Sequence, residues 1–134
     1  MINLESAKRM SKACQAKAKE MGIPMTIAIV DKGANLILCE RMDGSIIAGI
    51  RISQDKAYTS AATGFGTHEI AGISQPGQVA YGLQNADGGR IMIFAGGLPL
   101  KMGGELIGGI GVSGGLANQD QEVAQAGVDA FEDK

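Results

Sequence analysis

The run GGIGVSGG, residues 108–115, sets Gly109, Gly111 and Gly114 in G-x-G-x-x-G spacing, the pattern with which a dinucleotide-binding unit wraps a pyrophosphate. That chemistry needs a strand feeding a helix, then a second parallel strand that brings an acidic residue to the ribose. After Gly114 the sequence holds one helical stretch and then Lys134, and Asp129 falls inside that stretch, so NAD is not expected. The glycines suit the close approach of another backbone or a flat ligand, since no Cβ intervenes. The amides of SGGLANQD, ahead of a helix, could also form a nest for a carboxylate.

The side chains able to do chemistry are few. Cys39 leads into Arg41, Met42, Asp43 and Gly44, and the single histidine, His68, precedes Glu69. One histidine cannot build a multi-histidine zinc site, and Cys14 and Cys39 lack metal-motif spacing, so each thiol is expected to be reduced and structural unless a site claims it. Glu69 could orient the imidazole or share acid–base work with it, and Arg41 with Asp43 could be a simple ion pair framing a turn. There is no nucleophile elbow, P-loop or Cys-x-x-Cys, so no catalytic apparatus is visible.

Composition narrows the classes. The 134 residues suit one domain, 1–134, with 45% hydrophobic and 19% charged residues. A net charge of −2, no basic cluster beyond Lys8–Arg9 and only 4% aromatics argue against a nucleic-acid partner. No long apolar run or leader pattern is present, so neither membrane spanning nor export is expected and the expected location is the cytoplasm.

These residues must be positioned by elements read from periodicity. Leu4, Ala7, Met10, Cys14, Ala18 and Met21 mark an amphipathic helix over 4–21, capped by Asn3 and ended by Gly22. Runs at 25–30 and 36–41 flank the turn formers of DKGAN and predict a hairpin with Cys39 on its second strand. Ser45 is placed to cap a helix over 46–62, with Arg51, Asp55 and Lys56 away from its apolar face. Residues 64–89 read as a long loop with a helical turn near His68; strands are expected at 90–95 and 105–113, joined by GGLPLKMGG. A final helix, capped by Asn118 with Gln121 at capping-box spacing, runs to Phe131. Strands adjacent in sequence and joined by short turns imply an antiparallel sheet with packed helices, an α+β fold.

Four segments, AIVDKGANLILCERMDG, RISQDKAYTSAATG, FAGGLPLKMGGELIGGIGVSGG and NQDQEVAQAG, together resemble the GlcG/HbpS-like family, which includes the C-terminal domain of PduO-type proteins. Residues 66–87 fit that pattern least well. The resemblance implies a profilin-like α+β fold, a central antiparallel sheet with helices on both faces, and homo-oligomers, dimeric or higher and up to an octamer. It also implies a small-ligand-binding protein, with heme or a related tetrapyrrole ahead of a cobalamin-related ligand, serving a diol, glycerol or glycolate system such as a cobalamin-dependent dehydratase. In that setting Cys39 or His68 is the expected axial ligand, Met42 belongs to the cofactor site more as packing than as ligand, and Arg41, Arg51 and Lys56 could hold carboxylates, propionates or a small acid. Two alternatives stand beside this. One is an enzyme on a small hydroxy acid, aldehyde or diol, with Glu69 or Asp43 as base and Arg41 as carboxylate clamp; the other is an assembly protein with no small ligand.

Overall fold

The computed structural model describes residues 1–132. Helix α1 (Leu4–Met21) starts and stops where its sequence dictates. The Asn3 side-chain oxygen accepts from the Ser6 N–H at 2.8 Å, the Ser6 hydroxyl accepts from the Asn3 N–H at 3.1 Å, and left-handed Gly22 closes the far end.

Strands β1 (Thr26–Asp31) and β2 (Leu36–Arg41) form the expected hairpin, and β3 (Gly97–Met102) pairs with β4 (Glu105–Ser113) in a second. The two hairpins join through β1 and β4, giving one antiparallel sheet in the order β2-β1-β4-β3. Residues along β1 alternate between two cores. Ile27 and Ile29 face α1 and α4 (Ala117–Glu132), packing with Met10, Cys14, Ile110, Val112, Val123 and Phe131. Ala28 and Val30 face α2 (Ala48–Thr63), meeting Ala57 and Ala61. Each fully buried Ile contributes on the order of 1.5–3 kcal/mol, so the α1/α4 side holds most of the apolar stabilisation.

The α2 side is built on close approach. A Cβ on Gly109 would lie 2.4 Å from the Ala57 carbonyl oxygen, and one on Gly111 would lie 2.0 Å from that of Ser53. The glycine spacing in β4 is therefore spent on seating helix backbone directly on strand backbone, and β4 has antiparallel neighbours on both sides.

Three expectations are corrected. The strand placed at 90–95 lies instead at Gly97–Met102, within the expected connector. Residues 90–92 are held to α2, where the Thr59 hydroxyl donates to the Arg90 carbonyl at 3.1 Å and accepts from the Met92 N–H at 3.0 Å. Pro99 is tolerated because β3 is an edge strand. The helix expected from Ser45 begins at Ala48 with no side-chain cap, and Asn118 lies inside α4. The helical turn expected near His68 is α3 (Thr67–Ile73); two short 3-10 turns, 83–85 and 87–89, follow it.

Candidate functional site

Cys39 and Arg41 are two residues apart on edge strand β2, opposite Ala28 and Thr26 of β1, so both face the α2 side of the sheet. Cys39 is half-buried, and burial raises its thiol above the ordinary value, against weaker lowering by Ser53 and Gln54. The Gln54 carboxamide donates to its sulfur at 3.8 Å. Arg41 is exposed, with its Nε donating to the Ser45 carbonyl at 3.2 Å. Met42 turns to the other side, its sulfur accepting from the Met25 N–H at 3.4 Å. Arg41, Met42, Asp43 and Gly44 wall an open depression of about 440 Å³.

His68 lies beyond the opposite edge. It stands on α3, which is fastened to β3 where the Gly97 N–H donates to the Thr67 hydroxyl at 2.9 Å. Three strand spacings, roughly 14 Å, separate β2 from β3. Cys39 and His68 therefore cannot touch one ligand atom within a subunit, nor can Glu69 work with an Arg41 clamp. The His68 Nδ1 lies 3.2 Å from the Gln121 carboxamide nitrogen, and its Nε2 lies 3.8 Å from Glu69. A groove of about 280 Å³ beside it is lined by Phe65, Glu69, Ile70 and Ile73.

Lys56, expected as a surface cation, is completely buried. Its Nζ donates to Asp120 Oδ2 at 2.9 Å and to the Val112 carbonyl at 2.8 Å, and lies 5.1 Å from the centre of the Phe94 ring. Burial pushes the lysine down and the aspartate up, and each opposes the other's shift by holding its charged form. That ammonium is committed, so it is not available to a propionate in this arrangement. Gly96 leaves room for it, since a Cβ there would come within 2.5 Å of Nζ. Asp120 also answers the nest expectation: its Oδ1 accepts from the Gly115 N–H at 2.8 Å, so the chain's own carboxylate fills that turn. Gln121 accepts from the Gly96 N–H at 3.3 Å and does not cap α4.

A second polar group surrounds Asp55, which is buried, contrary to its expected place on an open helix face. Arg51 Nε lies 3.4 Å from one of its oxygens and Arg90 Nε 3.1 Å from the other. The Arg90 guanidinium stacks 3.6 Å above the Tyr58 ring, and the Tyr58 hydroxyl donates to Asp87, which raises the phenol's pKa. At about 100° per residue, Gln54, Tyr58 and Arg51 fall within roughly 60° of one another on α2. Gln54 touches Cys39 on one side of α2, whereas Asp55 and Thr59, roughly 100° and 140° further round the helix, hold Arg90 on the other, with Arg51 and Tyr58 on the outer face between them. Sequence spacing signals Arg51–Asp55 as an i,i+4 pair; nothing local signals Arg90, which arrives by the path of the chain. Among the described residues no group of three His, Cys, Asp or Glu is placed to hold a metal ion, and no helix is long and apolar enough to cross a membrane.

The family model described as "Haem degrading protein HbpS-like" matches residues 2–129. The chain is 45% identical to the "Uncharacterized 15.0 kDa protein in dhaT-dhaS intergenic region" of Citrobacter freundii, over 97% of this chain and 92% of that protein. It is 31% identical to the corrinoid adenosyltransferase PduO of Salmonella typhimurium over 97% of its own length, but spans 39% of that relative. Among solved structures it resembles Klebsiella pneumoniae protein ORFY, with a TM-score of 0.96 and 42% identity, covering 98% of this chain and 90% of that one. It likewise resembles the PduOC:heme complex, with a TM-score of 0.93 and 31% identity, covering 96% and 94% of the two chains.

Proposed function

The chain belongs to the HbpS-like family, and from that premise we propose that it is a cytoplasmic tetrapyrrole-binding protein, with heme as its ligand, accessory to a diol- or glycerol-utilisation system and working as a homo-oligomer. The observation that carries this reading is the close match, over 96% of the chain, to a relative solved as a heme complex. The donor chemistry of this chain fits such a group. Cys39 offers sulfur at an open sheet edge, and a coordinating thiol is deprotonated by the metal whatever its free pKa. His68 offers an imidazole on the other edge. The Gln121 amide, oriented by the Gly96 N–H, presents its NH2 to Nδ1 and so favours the proton on Nε2, the nitrogen that faces Glu69. His68 is thus tied into its own contacts, and Cys39 is the donor the reading favours.

Bound heme would supply a redox-active iron; the chain's residues would bind and orient it. Arg41, two residues from Cys39 on the same face, is placed to meet a carboxylate near the thiol. The depressions in one subunit are open, so exclusion of water from the ligand falls to a second copy. Exposed Ile47, Phe65, Val79 and Leu116 are apolar surface that self-association would cover. Absorbance titration of the purified protein with hemin is the test. Saturable binding with a Soret shift, weakened in Cys39→Ala and retained in His68→Ala, is expected. Absence of saturable binding, or an unchanged spectrum in Cys39→Ala, contradicts the reading.

A further inference from the structure

We infer that Arg51 and Arg90, set around the buried carboxylate of Asp55, form a binding site for a carboxylate-bearing ligand on the outer face of α2. Both guanidiniums approach Asp55 through Nε. A guanidinium is a planar fork, so using the Nε side leaves the edge formed by its two terminal nitrogens directed away from that partner. Arg51 is 76% exposed at its side chain and Arg90 39%, whereas Asp55 is 8% exposed: the anchor is inside and the forks are outside.

The surroundings hold the site in shape. Arg90 is fixed on one side by Asp55 and across its plane by the Tyr58 ring. Its backbone is fastened to α2 through Thr59. Asp87, the other acid nearby, is engaged by the Tyr58 hydroxyl. With Asp87 counted, two cations face two anions, so selectivity comes from the geometry of the open forks and not from a net positive field. Planar, bidentate oxygen pairs suit such forks, and a carboxylate fits them.

Identifying the carboxylate as a tetrapyrrole propionate rests on the function proposed above; the site itself does not. Affinities for hemin and for hemin dimethyl ester, in which both propionates are esterified, are compared in the wild type, Arg51→Gln and Arg90→Lys. Arg51→Gln changes an exposed side chain, and thermal melts confirm that both variants are folded. The expected result is hemin binding weakened about tenfold or more in each variant, as for loss of a charge-assisted hydrogen bond, with ester binding unaffected. Equal sensitivity of hemin and ester, or none in either, overturns the carboxylate site while leaving heme binding intact. If hemin does not bind at all, succinate is titrated against the arginine side-chain 15N signals. Selective shifts of Arg51 and Arg90, lost in Arg51→Gln, keep the site and reject the tetrapyrrole; no selective shift rejects both.

Discussion

Cys14 and Cys39 carry the same thiol in different surroundings, and the difference is measurable. Cys14 is sealed between α1 and α4, its S–H donating to the Val123 carbonyl at 3.2 Å, and burial pushes its pKa from 9.0 up to about 12. A folded-state pKa above the unfolded one contributes stability that is complete below pH 9 and lost as pH rises toward 12. The stability difference between wild type and Cys14→Ala should therefore shrink by about 1.4 kcal/mol per pH unit above pH 9, read from urea denaturation at stepped pH. Lys56, pushed down by burial, acts with the opposite sign below 10.5, and comparison with the Cys14 variant cancels it. Cys39, half-buried, should react with an alkylating reagent in the native state while Cys14 does not. Peptide mapping after brief labelling decides this, and equal labelling of the two refutes it.

The Lys56–Asp120 pair is the other residue-scale commitment. Lys56→Met strands Asp120 in the interior and should cost about 3–5 kcal/mol. In Lys56→Met/Asp120→Asn the amide can still accept from the Gly115 N–H with no isolated charge left behind, so part of that loss should return. Chemical denaturation of the single and double variants checks the order.

At the scale of elements, the decisive contact is α2 on β4. A Cβ on Gly111 would meet backbone of Ser53 and Ala57, which no side-chain rotation can relieve, so Gly111→Ala should destabilise by about 3 kcal/mol. Gly72 in α3 has nothing within 4 Å of an added Cβ, and Gly72→Ala should be neutral or stabilising by up to about 1 kcal/mol. Equal melting temperatures for the two variants would show that the helix does not rest on those glycines.

The legible elements were those with local causes. The Asn3 cap, the Gly22 stop and the DKGAN hairpin are each decided within a few residues, and each is found. β3 was hidden because Gly96, Gly97 and Pro99 read as breakers, whereas the glycines accommodate α2 and Lys56, and the proline sits on an edge. The burial of Asp55 and Lys56 was equally invisible: their partners Arg90 and Asp120 lie 35 and 64 residues away. Cys39 and Arg41 could be named from sequence, but the pairing of Arg51 with Arg90 around Asp55 depends on the chain returning over α2.

The whole molecule presents two chemically different edges, Cys39 with Arg41 on β2 and His68 with Glu69 beyond β3. In the proposed function a ligand is claimed by one edge or the other, and a second copy encloses it. Native mass spectrometry of the heme-loaded protein should give a multiple of the 13.8 kDa chain mass; a monomer alone would remove the proposed enclosure.

Hydrogen–deuterium exchange with and without hemin tests the location of the ligand most directly. Added protection is expected in β2, residues 36–41, and along residues 51–58 of α2, with residues 67–73 unchanged. Protection confined to 67–73, leaving β2 and α2 as in the free protein, would contradict the assignment of the ligand to the Cys39 edge.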